Sequence, residues 1–99
     1  MTRSLIIRPE AEGDLAEGRD WYDARQDGLG TAFLTVVDEV LEHICQSPAL
    51  YATSYKSVRR VRMKRFPYVV YYRIIGQGVE VLAVLHGSRG PNVWKSRAS

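Results

Sequence analysis

A single cysteine, Cys45, stands among the 99 residues, and that scarcity excludes a disulfide framework and a zinc cage built on thiolates. No apolar run approaches the roughly 20 residues a membrane helix requires. The opening stretch, Met1-Thr2-Arg3-Ser4-Leu5-Ile6-Ile7, carries one cation and too short an apolar segment for a secretory signal. There is no Walker loop, no His/Cys metal spacing and no nucleophile elbow, so neither a metal nor a nucleotide cofactor is expected. The length leaves no room for a two-domain enzyme with a closing cleft, and 45% hydrophobic content is too high for disorder. The expectation is one small cytoplasmic domain over residues 1–99, with no membrane association.

Acidic residues are almost missing from the second half. Residues 51–99 hold ten Lys/Arg and one acid, Glu80, a net of +9. Residues 1–50 hold four Lys/Arg against ten Asp/Glu, a net of −6. Such a split speaks to partners, not to fold. A cationic half attracts phosphate backbones or acidic protein surfaces over a Debye length of about 8 Å, unless the two halves neutralise each other across a shared surface.

The pattern of apolar residues gives the elements. Leu5-Ile6-Ile7 reads as a short strand closed by Pro9, which suits the first turn of a helix, as do Glu10, Glu12 and Asp14. Ala11, Leu15, Gly18 and Tyr22 then form one helical face. Glycine on that face costs about 1 kcal/mol against alanine, so a close approach of another element is expected at Gly18. Asp27-Gly28-Leu29-Gly30 is a turn, and Phe33, Val37, Val40, Leu41 and Ile44 stripe a second helix that Ser47-Pro48 stops. The resulting helical hairpin needs a sheet to cover. Val58 to Lys64, Tyr68 to Ile75 and Val79 to Leu85 supply it, with Gly76-Gln77-Gly78 as a hairpin turn and Phe66-Pro67 as a corner. The segment from His86 to Ser99 reads as largely irregular. The order is β-α-α-β-β-β, an α+β fold with the helical hairpin on one face of a small, mainly antiparallel twisted sheet.

Three groups of residues carry chemistry. In the strand from Val58, alternation puts Arg60, Arg62 and Lys64 on one side and Val61 and Met63 on the other. Side chains two apart lie about 6.6–7 Å apart, close to the spacing of successive phosphates on an extended single strand. With Arg65 at the corner, Arg73 on the next strand, and Tyr68, Tyr71 and Tyr72 for stacking, the set resembles a phosphate-tracking surface. Cations also simply blunt exposed strands. His86 and Arg89 follow the last strand, where an imidazole passes protons and a guanidinium stabilises a pentavalent phosphate; Tyr72 is a second proton carrier. A hydrogen-bonded structural histidine is the alternative. Trp21, Tyr22 and Trp94 are candidate anchors for a protein partner, or seals on the core edge. His43 reads as an ion pair with Glu39, and Cys45 as packing.

These residues together resemble the RelE/ParE superfamily of type II toxins. Trp21-Tyr22, Gly28-Leu29-Gly30 with Phe33, and Pro48 are similar to its helical hairpin; Val58-Arg59-Arg60, Arg65-Phe66-Pro67-Tyr68 and Val70-Tyr71-Tyr72 to its sheet; Val84, His86, Arg89, Pro91 and Trp94 to its C-terminal signature. The likeness runs from about Pro9 to Arg97. It implies a bacterial toxin held inactive in a hetero-oligomer by a co-encoded antitoxin, at Trp21, Tyr22 and Trp94. Its target is implied to be DNA gyrase, on the ParE side, or mRNA in the ribosome, on the RelE side. Val69 follows Tyr68 where the ribonuclease branch usually carries arginine, which tilts the resemblance toward ParE. An inactive module that only captures the antitoxin is the third reading.

Overall fold

The computed structural model describes residues 4–98. Met1 to Arg3, part of the N-terminal stretch read above, and Ser99 lie outside it. The chain runs β1 (Leu5–Ile7), α1 (Pro9–Arg25), α2 (Leu29–Gln46), one 3₁₀ turn (Pro48–Leu50), β2 (Thr53–Tyr55), β3 (Val58–Arg62), β4 (Tyr68–Ile75), β5 (Gly78–His86) and α3 (Asn92–Ala98). The five strands form one sheet in the order β1-β5-β4-β3-β2, with β1 parallel to β5 and every other pairing antiparallel.

The helical hairpin follows from its stripes. Ala11, Gly18 and Tyr22 of α1 and Phe33, Val37, Leu41 and Ile44 of α2 are buried, and they pack over Val70, Tyr72, Val79, Val81 and Val84 of the sheet. The turn between the helices is shorter than expected: Gly28, at φ 85°, is the left-handed residue, and Leu29 and Gly30 already belong to α2.

The other sheet face is covered too, and this corrects the expectation of an irregular tail. Residues 92–98 form α3, whose Trp94 and Ala98, four apart, pack with Val58, Val69, Tyr71, Leu82 and Leu85. Seven residues are too few to hold a helix in water, so α3 stands on these tertiary contacts. A second correction is β2. It pairs with β3 through a turn in which Lys56 and Ser57 sit at φ 47° and 65°. Such a turn normally announces itself by Asn or Gly, and here it does not.

Tyr72 ties the two layers together. Its side chain is fully buried and its hydroxyl donates to the Pro48 carbonyl after α2. Burial pushes the phenol up to about 12. Between pH 10 and that value the unfolded chain gives up a proton that the native state keeps, so stability falls as pH rises. The loss is about 3 kcal/mol across the window, at about 1.4 kcal/mol per unit. Burial moves Tyr22, Tyr68 and Tyr71 in the same direction. Urea midpoints are therefore expected to drop steeply above pH 10, and less so in Tyr72→Phe; midpoints flat to pH 11.5 would contradict the assignment.

Candidate functional site

The basic residues of the second half divide between the two sheet faces. Arg60 and Arg62 stand opposite Tyr71 and Val69 on the α3 side, in the same row as buried Val58. Burial raises the Tyr71 phenol, and the Arg60 and Arg62 guanidinium groups pull it back. Arg59 and Val61 turn to the helical side, where the Arg59 guanidinium donates to the Ala49 and Tyr51 carbonyls. β3 ends at Arg62, so Lys64 does not continue the row; it faces α2 beyond the strand. Arg65 holds the corner at φ 73°, with its guanidinium 5.2 Å from the Phe66 ring centroid. Arg73 is committed to Glu80, at 2.9 Å, and to the Ala98 carbonyl.

The expected stacking tyrosines are not available as platforms. Tyr71 is stacked under Trp94, Tyr72 is buried on the opposite face, and half-buried Tyr68 packs against Tyr22 and Phe33. Arg60, Arg62, Lys64 and Arg65 form no ion pair among the described residues. The cations remain available; the aromatics do not.

The end of β5 gathers a second group. The His86 ring lies edge-on to Tyr68 at 5.5 Å. The Ser88 backbone N–H donates to His86 Nδ1 at 3.0 Å, and the Ser88 hydroxyl lies 2.7 Å from the same nitrogen. A backbone N–H can only donate, so Nδ1 is the acceptor and the neutral ring carries its proton on Nε2. With Arg89, Asp14, Glu17 and Tyr68, His86 lines a notch of about 30 Å³, room for about one water. Burial, with Tyr22 and Glu17 nearby, raises the Tyr68 phenol, and Arg89 opposes the rise. Tyr72, four residues along β4 from the partner of His86, is about 13 Å away along the strand. The structure thus brings His86 and Arg89 together with Tyr68, and leaves Tyr72 elsewhere. Glu17 was not singled out in the sequence, because nothing local to α1 shows that it abuts the end of β5.

A groove of about 500 Å³ lies between α2 and β3. Val36, Val40, Tyr51 and Val61 contribute apolar surface, while Glu39, His43, Lys64 and, from the end of β3, Arg62 bring charge or polarity. The expected Glu39–His43 ion pair does not form among the described residues. Of the three candidate anchors, Tyr22 and Trp94 are buried, and Trp21 is 48% exposed with the Arg25 guanidinium 3.2 Å over its ring. Tyr22 is instead the hub of a cluster with Phe33, Phe66 and Tyr68.

Residues 5–91 match the family described as the ParE toxin of the type II toxin–antitoxin system parDE. The chain belongs to that family. The toxin is 34% identical over 100 residues to Toxin ParE2 of Mycobacterium tuberculosis, strains CDC 1551 / Oshkosh and ATCC 25618 / H37Rv, covering 100% of this chain and 95% of the relative. Its fold is similar to a solved chain of the chromosomal ParDE TA system from P. aeruginosa, with a TM-score of 0.77 at 19% identity over 86% of this chain and 96% of that one. At that identity the likeness speaks for the fold, and it agrees with the α+β architecture read from the sequence. No helix of the described residues is long and apolar enough to cross a membrane.

Proposed function

We propose that this toxin acts in the cytoplasm by binding DNA gyrase and arresting growth, and that a co-encoded antitoxin masks it until release. Family membership supports the toxin role. The observation that carries the mode of action is the separation of His86 and Arg89 from Tyr72, whose hydroxyl is sealed against Pro48. The three candidate catalytic side chains do not converge, which favours action by binding. The test is purified toxin added to gyrase: lost supercoiling or accumulated cleavage complexes are expected, with DNA-damage signalling and intact mRNA in cells. Untouched supercoiling and cleavage-complex levels would end this reading.

A second reading, ribosome-dependent mRNA cleavage, draws on the notch at the end of β5. There His86, with its proton on Nε2, and Arg89 line the notch together with Tyr68 and Glu17, a set suited to proton transfer and phosphate stabilisation. Codon-positioned mRNA 5′ ends after induction, lost in Arg89→Ala, would put it first. Overexpression without growth arrest would leave only antitoxin capture.

For the antitoxin, the groove between α2 and β3 suits an amphipathic helix, and exposed Trp21 offers a separate anchor on α1. A tryptophan hot spot is worth about 2 kcal/mol or more. Trp21→Asp is therefore expected to weaken the complex at least about 30-fold in calorimetric titration, without altering the fold of an exposed site. Unchanged affinity would move the contact away from Trp21.

A further inference from the structure

Four cations surround one aromatic stack on the α3 side of the sheet. The Tyr71 and Trp94 rings lie 4.8 Å apart and 14° from parallel, and both are almost wholly buried. Arg60 stands directly opposite Tyr71, and Arg62 opposite the neighbouring Val69. Beyond Trp94, Tyr55 meets the indole edge-on at 6.0 Å, and the Lys56 and Lys95 ammonium groups lie 5.5 and 4.8 Å from the Tyr55 ring centroid. Glu80, the sole acid of the second half, is occupied by Arg73. Lys56, Arg60 and Arg62 form no ion pair among the described residues.

Such a patch calls for a polyanion, and the rings decide which kind. Single strands are held by bases stacking on open aromatic faces. Here Tyr71 and Trp94 spend their facing surfaces on each other, and Tyr68 and Tyr72 belong to the other side of the sheet. What the face presents outward is charge: Arg60 and Arg62 leave β3 about 6.6 Å apart, comparable with neighbouring phosphates along one strand. Cations with no open ring for base readout match a duplex exterior, whose phosphates face outward at a fixed spacing, better than the irregular carboxylates of an acidic protein.

We propose that this face binds the phosphate backbone of a nucleic-acid duplex directly and without regard to base sequence, through Lys56, Arg60 and Arg62. The contact stands on the patch alone and does not require gyrase to be the target. If gyrase is the target, the same face would give the toxin a hold on the enzyme's DNA.

The test is fluorescence anisotropy of a labelled DNA duplex of roughly 20 base pairs with the purified full chain. Neutralising about three phosphates sets a slope near −2.7 in log affinity against log salt, so binding should fall about 40-fold between about 50 and 200 mM. Arg60→Gln with Arg62→Gln removes about two contacts, and the fall should shrink to about 3.5-fold. Arg19→Gln with Arg25→Gln makes the same charge change on α1 and should leave the slope alone; urea midpoints confirm that both double variants are folded. A matched RNA duplex separates the two sources of the backbone, and binding to either supports the proposal. Equal slope loss in the α1 variant, tighter binding to the matched single strand, or no duplex binding at low salt alongside capture of polyglutamate would each overturn it.

Discussion

Replacing Asp14 with alanine is expected to lower the stability of the toxin by about 3 kcal/mol, measured by urea unfolding at neutral pH. This carboxylate is where α1, β5 and α3 meet. One oxygen accepts from the Val84 backbone N–H at 3.0 Å and from Arg97 at 2.6 Å, and the other from Arg97 at 3.2 Å. The side chains of Arg97 and Asp14 are only 17% and 12% exposed. β1 pairs with β5 over Val79 to Val81 alone, so beyond it the edge of β5 is open and Asp14 satisfies the N–H there. Alanine leaves that N–H bare and strands a guanidinium whose other bond is to the Leu82 carbonyl. Removing one partner of a buried pair costs roughly 3–5 kcal/mol, and the slight exposure sets the lower end. For a domain of this size that is a fall of about 12–24 °C in Tm.

Two further results separate this account from a generic surface ion pair, worth about 0–1 kcal/mol. Arg97→Met should cost less than Asp14→Ala, because it leaves Asp14 its bond to Val84. The double variant should be less damaged than the sum of the singles, since each single exposes the partner of the other. Strict additivity, or a loss under about 1 kcal/mol for Asp14→Ala, would count against a buried, coupled Asp14–Arg97 pair. Because α3 depends on this bond and on Trp94, tryptophan emission should redden in Asp14→Ala before the sheet unfolds.

The sequence made the layers of the hairpin plain because its stripes are long. Five apolar positions of α2 repeat on one face, and four of them are fully buried. β4 was legible residue for residue, since aromatic and β-branched side chains fill it from Tyr68 to Ile75 at every position but Arg73. Short elements left no such trace. α3 has one turn and a half of pattern, Trp94 and Ala98, and its other support is Arg97 reaching Asp14 across 83 positions, a contact no local window contains. β2 was hidden because its turn uses Lys56 and Ser57 where glycine or asparagine would have marked it. At the functional surfaces, residue type was readable and direction was not. Arg60, Arg62 and Lys64 were read as one row, yet the strand ends before Lys64, and whether Tyr71 lay open beside the other two depended on α3. Tyr72 and Tyr68 are both strand tyrosines of the same face, and only the register with β5 decides which one meets His86.

Glycine-to-alanine changes at three helical positions should give three different outcomes, and Gly30→Ala is the severe one. Gly30 lies in the first turn of α2, buried against α1, with its N–H donating to the Asp23 carboxylate at 2.7 Å. A methyl there would fall 2.5 Å from the Arg19 carbonyl oxygen and 2.7 Å from the Asp23 carboxyl carbon. The carbonyl belongs to helix backbone and cannot step aside, so the two helices must part at the crossing that closes the hairpin. The expected cost is about 3 kcal/mol, at the top of the range for overpacking. At Gly18, the close approach anticipated from its place on the buried stripe is real: a methyl would lie 2.8 Å from the Phe33 ring. A ring edge can shift by tenths of an ångström, and the helix gains about 1 kcal/mol of propensity in return, so the net loss should be about 1 kcal/mol. Gly13 is exposed and a methyl meets nothing within 4 Å, so Gly13→Ala should stabilise the fold by about 0.5–1 kcal/mol. Urea midpoints in that order, Gly13→Ala above the parent, Gly18→Ala below it and Gly30→Ala lowest, would show that helix approach and not helix propensity places Gly18 and Gly30. Gly30→Ala unfolding no more easily than Gly18→Ala would mean that the hairpin yields at its backbone, and that the contact between Gly30 and Arg19 does not fix the crossing.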